Sequence, residues 1–278
     1  MHSQQDQPAR SRSSREQLRY LYNRNTLVRS VTKLFPIVIL LGIWEVASGT
    51  AVTAEVLPPF SATVPKIAEV AMLEEFSGYL FATVFRGLAG VGIAIAVAVP
   101  LGMAMGRSER VSRLLNPMIS LTYPLPKSPL IPLLVFWLGM GHVSRILLAV
   151  IGSLLPILIS TYNGAEGIPD ELMWVSQSFG LGRIEETYKV MIPAALPTIL
   201  TGVRIGMIFS FIIVISSEMI MSSTGLGVLV VEFGQFGQYA SVFATVVWIT
   251  GLVAGLDRLY LLVSGRLLSW SDQEVGSI

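Results

Sequence analysis

The chain has 278 residues, 53% of them hydrophobic and 13% charged, with a net charge of +1. That charged fraction is about half the ~25% of an ordinary soluble domain, which places the chain among membrane proteins, and the near-zero balance gives no reason to expect a polyanionic partner such as nucleic acid. Cysteine is absent and His2 and His142 are the only imidazoles, which excludes disulfides, thiolate metal sites and a cysteine nucleophile and leaves little for metal or redox chemistry.

Residues 1–30 are polar and rich in Ser, Gln and Arg, the composition of a solvated tail that can also touch anionic lipid. Residues 31–278 form the membrane domain. Apolar runs near the roughly 20 residues needed to cross a bilayer core then occur six times. They are Leu34 to Thr53, interrupted by Glu45; Gly87 to Gly106; Leu114 to Met140, carrying Lys127; Ile146 to Ala165; Val190 to Ser217, carrying Arg204; and Phe233 to Leu256. The first run follows 33 residues, longer than the leader of a cleaved signal peptide, so it is expected to be retained as a helix. Between the first two runs, Pro58, Pro59 and Pro65 break the chain, and Lys66 to Phe76 predicts a short amphipathic helix along the outer surface. The third run holds Pro117, Pro124, Pro126, Pro129 and Pro132. Backbone groups freed by proline at membrane depth need protein or a water-filled cavity around them, so this helix is expected at the centre of an assembly, walling a pathway. Gly102 with Gly106, Gly202 with Gly206 and Gly251 with Gly255 repeat a spacing that lets helices approach closely.

Six spans put both termini on one side. Arg and Lys near span ends mark the cytoplasm. They crowd the N-terminal tail (Arg10, Arg12, Arg15, Arg19, Arg24, Arg29, Lys33), the second-to-third loop (Arg107, Arg110, Arg113) and the fourth-to-fifth loop (Arg183, Lys189), while Lys66 and Arg145 stand alone on the opposite side. Both termini and the fourth-to-fifth loop are therefore expected in the cytoplasm.

That loop, about residues 166–192, interrupts the apolar pattern with GAEGIPDELMWVSQSFGLGRIEETYKVMIP. Asp170 after Pro169 predicts an N-cap with Glu171 in the first turn, and Leu172, Val175, Ser176 and Phe179 form one apolar stripe. Gly180 falls where a left-handed C-cap is needed, and Gly182 opens a second short helix, Arg183 to Met191, which is expected to stop at Pro193. An apolar stripe on such a loop wants a partner surface, unless the helix packs on its own bundle.

Gly180, followed after nine residues by Val190-Met191-Ile192-Pro193, resembles the cytoplasmic loop signature of permeases of binding-protein-dependent ATP-binding-cassette (ABC) importers. Trp174-Val175-Ser176 stands where that family carries Glu-Ala-Ala, with the acids displaced to Asp170 and Glu171. The stretches RGLAGVGIAIAVAVPLGMAMGRSERVSRLLNPM, PLIPLLVFWLGMGHVSRI and SEMIMSSTGLGVLV resemble the subfamily that imports sulfonates, taurine, nitrate and related small anions. The resemblance covers Trp44 to about Arg266. It implies an all-α integral membrane protein with six transmembrane helices in the type I ABC importer permease fold, multi-pass in the inner membrane. It further implies that the permease acts as a homodimer with two cytoplasmic ATP-binding subunits and an extracytoplasmic solute-binding protein. On that basis Asp170, Glu171, Leu172, Val175, Phe179, Gly180, Gly182 and Pro193 are the candidate ATPase-coupling residues. None of the four lysines follows a glycine, so no phosphate-cradling loop is present, no cofactor is expected in this chain, and ATP with Mg would be hydrolysed on a partner.

Ionisable residues inside apolar runs default to functional hypotheses. Arg86 and Glu218 fall near the same depth and either pair or both face a vestibule; Lys127 either attracts an anion or snorkels to the interface. With Tyr123 and Ser217 these are the candidate pathway residues, and Ser128 and Ser216 are further polar groups nearby. Arg204 reads as an anchor or as a partner of the loop. A secondary transporter is the rival reading, against which stand the lack of internal repeats and of midplane acids; an importer permease for another small solute, such as a vitamin precursor, is a second alternative.

Overall fold

The computed structural model describes residues 35–268; the expected tail over residues 1–30 lies outside them, as does Leu34 at the start of the first run. Apart from an isolated bridge between Ser48 and Val52, the regular structure of the described residues is helical. The described residues divide into two compact units, one ending at Pro65 and the other beginning at Lys66.

In the first unit, α1 is described over Phe35–Ala47. The expected run to Thr53 stops at Ala47 because the chain turns there, with Gly49 at a φ of 79°. Glu45 does not merely interrupt α1. Its carboxylate accepts from the backbone N–H of Ser61 at 3.0 Å and from the Ser61 hydroxyl at 2.7 Å, satisfying an N–H in the first turn of α2 (Phe60–Ala71). Trp44 Nε1 donates to the Pro58 carbonyl at 3.0 Å and the Trp44 ring meets Phe60 at 5.5 Å. Helix α2 starts before the expected Lys66 and carries Pro65 inside it. The proline removes a single helical donor in a turn where Ser61 is exposed to other partners.

The second unit is built on α3 (Phe76–Arg107), α6 (His142–Glu166) and α9 (Ile192–Met221). Their shared core holds Ala94, Ala98, Ile157, Leu158, Ala195 and Phe211. Glycine sets the spacing: a Cβ at Gly102 would fall 2.7 Å from Thr161 and one at Gly106 2.4 Å from Ala165, while Gly202 and Gly206 of α9 leave the same room for Ser160 and Ile157 of α6. Backbones this close gain dispersion along their whole length. Gly251 and Gly255 have nothing within 4 Å of the corresponding position, so this pair makes no close approach among the described residues. It lies on α11 (Tyr239–Leu267), which is 17% buried over its most apolar window against 50% for α6. Helix α10 (Leu226–Gln235) closes a second core with Leu226, Leu229, Val70, Phe76 and Ala244.

Four of the described helices are long and apolar enough to cross a membrane: Phe76–Arg107, His142–Glu166, Arg183–Met221 and Tyr239–Leu267. The expected third span is not one helix. Leu114 to Met140 is divided into α4 (Glu109–Thr122) and α5 (Leu130–Leu138), because Pro124, Pro126 and Pro129 remove three donors within six residues. Nor is α4 buried within the chain: Ser112 alone of its residues is buried, and Leu114, Met118 and Leu121 are exposed. The expected last span begins later than Phe233, which ends up in α10, since Gly237 at a φ of 69° turns the chain before Tyr239.

Candidate functional site

The polar loop leaves α6 at Gly167 and forms α7 (Asp170–Ser178). Pro169, not Asp170, occupies the N-cap, and Asp170 and Glu171 stand in the first turn, where negative charge meets the positive end of the helix dipole. Leu172, Val175 and Phe179 are exposed, Phe179 by 80%, and Trp174 joins them. Ser176 leaves the predicted stripe: it is buried. At the C-terminus the Gly180 N–H donates to the Gln177 carbonyl at 2.9 Å and the Leu181 N–H to the Ser176 carbonyl at 3.3 Å, with Gly180 at a φ of 72°. This is the Schellman arrangement, which needs a left-handed residue at that position.

Gly182 precedes α8 (Arg183–Glu186). The second helix does not stop at Pro193: a π turn over Thr187–Met191 carries α8 directly into α9. Proline 193 has no N–H and its ring crowds the carbonyl four residues back, and the wider π turn, closed by the Ile192 N–H on the Thr187 carbonyl, relieves both without ending the helix. Below this turn the buried Glu186 carboxylate accepts from Arg107 Nη2 of α3 at 2.5 Å and from the Ser176 hydroxyl of α7 at 2.9 Å. One carboxylate thereby fixes α7 to α3. Sequence reasoning used Arg107 only for topology and missed Glu186, which nothing in the pattern separates from its neighbour Glu185, whose carboxylate meets Lys189 on the surface.

The proline break between α4 and α5 places Tyr123, Lys127 and Ser128 at a cavity of about 540 Å³, where they meet Ser160 of α6 and Phe209 and Ser216 of α9. Lys127 Nζ sits 5.5 Å from the centroid of the Phe209 ring, within reach of a cation–π attraction. Arg86, Ser217 and Glu218 do not line that cavity. Arg86 Nη1 pairs with Glu218 Oε1 at 2.6 Å with both side chains at most 1% exposed. Glu218 Oε2 also accepts from Thr83 at 2.9 Å and from the Gly227 N–H at 3.2 Å, and further Arg86 donors go to Thr224 and His142. With four of its five N–H donors used and the residue 1% exposed, Arg86 is out of a solute's reach. The Ser217 hydroxyl is buried on the Val214 carbonyl at 2.7 Å. Arg145, read from the sequence as a lone outer charge, is also fully buried and donates to the carbonyls of Met140, Gly141 and Met221. Arg204 grips Asp257 of α11 with two bonds of 2.7 and 2.9 Å. Among the described residues no group of three or more His, Asp or Glu could hold a metal ion.

Likenesses to known proteins bear on this arrangement. Residues 94–269 match the family described as binding-protein-dependent transport system inner membrane component. The chain is 30% identical to a Bacillus subtilis (strain 168) protein named as an aliphatic sulfonates transport permease, over 87% of this chain and 88% of the relative, and 30% identical to the taurine transport system permease protein of Escherichia coli (strain K12), over 83% and 86%. A nitrate import permease protein of Synechocystis sp. is 25% identical over 64% and 65%. In structure the chain is similar to one from the inward-facing conformations of the MetNI methionine ABC transporter, with a TM-score of 0.61 at 19% identity over 73% of this chain and 100% of that one, a likeness of fold.

Proposed function

The chain belongs to the family of binding-protein-dependent transport system inner membrane components, and from that premise we propose how it works as the permease subunit of an ATP-driven importer. It is a multi-pass inner-membrane protein and a transport component, not an enzyme. In the proposed arrangement α1 and the α4–α5 segment add two crossings to the four long helices, which gives six with both termini in the cytoplasm. Residues 166–192 are the coupling loop, and two copies of the chain assemble with two ATP-binding subunits and a solute-binding protein. Leu172, Val175 and Phe179 press into the ATPase, and the solute, a small anion such as a sulfonate or nitrate, passes the cavity at Lys127. Arg86 and Glu218 hold helices together and take no part in the pathway.

The observation that carries the coupling proposal is the pairing of an exposed apolar stripe with a buried anchor. Leu172, Val175 and Phe179 face outward while Glu186 ties the same helix to Arg107 on α3, so force applied to the stripe is delivered to a membrane helix. Reconstitution tests it. The purified permease alone is expected to hydrolyse no ATP, and the complex with its ATPase is expected to hydrolyse ATP faster when the loaded binding protein is added. Hydrolysis by the permease alone, or an ATPase that does not bind it, contradicts the proposal.

A further inference from the structure

Resting on the reading of the Lys127 cavity as part of the pathway, we propose that the permease itself selects solutes there, accepting organic monoanions with an apolar body and turning away zwitterions that carry the same anionic head. The cavity's 540 Å³ falls within the range of about 300–1,000 Å³ typical of small-molecule sites. It offers one ammonium, Lys127, and hydroxyls from Tyr123 and Ser128, with Leu155 and Ile159 on the apolar wall. None of the described residues lining it is acidic.

An anionic head meets a cation and hydroxyl donors in this cavity, and an alkyl or aryl body meets hydrocarbon. An added ammonium, as in taurine, meets no carboxylate and is repelled by Lys127. The Phe209 ring already lies against Lys127 Nζ at 5.5 Å. A charge moved away from water without a counter-charge is disfavoured far more than a missing methylene is. The discrimination comes from a repulsive element built into the site as well as from the attractive one.

The test uses the permease–ATPase complex in lipid nanodiscs without binding protein, with radiolabelled 1-butanesulfonate and taurine as probes in equilibrium binding. The wild-type complex is expected to bind butanesulfonate at least about tenfold more tightly than taurine. Lys127→Gln is expected to lose about tenfold in butanesulfonate affinity and with it the preference, and Lys127→Arg to keep both. Equal binding of the two probes, binding of neither, or wild-type affinity in Lys127→Gln overturns the proposal. The comparison of probes on the wild-type complex stands even if a variant fails to assemble. In the same preparation, ATP hydrolysis stimulated by the loaded binding protein reports on the importer reading separately: normal stimulation with no probe preference removes the selectivity and leaves the importer intact.

Discussion

Arg86 and Glu218 were recognisable in the sequence because an ionisable residue in an apolar run is costly enough to need a reason. Their reason is each other, at 2.6 Å. Arg86→Gln leaves a buried carboxylate without its guanidinium, at a cost of about 3–5 kcal/mol. The expected outcome is a marked fall in folded yield and in melting temperature in detergent, partly recovered in the Arg86→Gln, Glu218→Gln double variant; an unchanged melting temperature in the single variant contradicts the structural role. Other residues were illegible for physical reasons. Arg145 precedes the apolar run, so it reads as an interfacial charge, and its burial follows from the return of α9 and the Met221 carbonyl past it. Glu185 and Glu186 are adjacent and alike; which one turns inward to Arg107 is decided by the phase of α8 and the π turn behind it. Asp257 sits at the end of an apolar run and has meaning only once α9 and α11 bring Arg204 to it.

Periodicity and punctuation carry well at the scale of elements. The 3.6-residue stripe and the glycine give α7 and its left-handed stop in the right place, since a Schellman turn is local chemistry. Prolines were read less well, because the penalty depends on what the surroundings allow. Pro193 is absorbed by a π turn, Pro65 by an exposed first turn, and the cluster from Pro124 to Pro129 divides a span. Gly180 is where an element-scale prediction is sharpest. A Cβ there meets nothing within 4 Å, so the constraint is the φ of 72° alone. A β-branched side chain is penalised there by about 1–2 kcal/mol, and α7 then extends or swings, turning its stripe away. Gly180→Val is expected to reach the membrane with its helices intact, yet to co-purify less ATPase and import solute several-fold more slowly. Gly180→Asn, which tolerates positive φ, is expected to retain more of both. Equal co-purification and uptake in wild type and Gly180→Val would remove Gly180 as the pivot.

At the scale of the whole molecule, composition alone assigned the membrane, and the loop with its flanking stretches assigned the family. The spacing marked Gly102, Gly106, Gly202, Gly206, Gly251 and Gly255 alike as able to approach a neighbour; the first four do so where α3, α6 and α9 pack, whereas the exposed α4 and the open positions at Gly251 and Gly255 on α11 could not be anticipated, since a single sequence does not say which small-residue pairs face a neighbour in the same chain. What remains distinctive of the molecule is the separation of roles along its length. A bonded, buried cluster at Arg86 holds the helices, an open cavity at Lys127 is the proposed passage for the solute, and a loop anchored by Glu186 faces the cytoplasm in the proposed orientation. In the proposed importer, transport is driven by an ATPase outside this chain. The direct measurement is uptake of a labelled sulfonate into vesicles holding the permease, its ATPase and the loaded binding protein. The account predicts accumulation that requires ATP on the ATPase side, ceases with a hydrolysis-deficient ATPase and persists when ion gradients are collapsed. Accumulation driven by a proton or sodium gradient without ATP would contradict it.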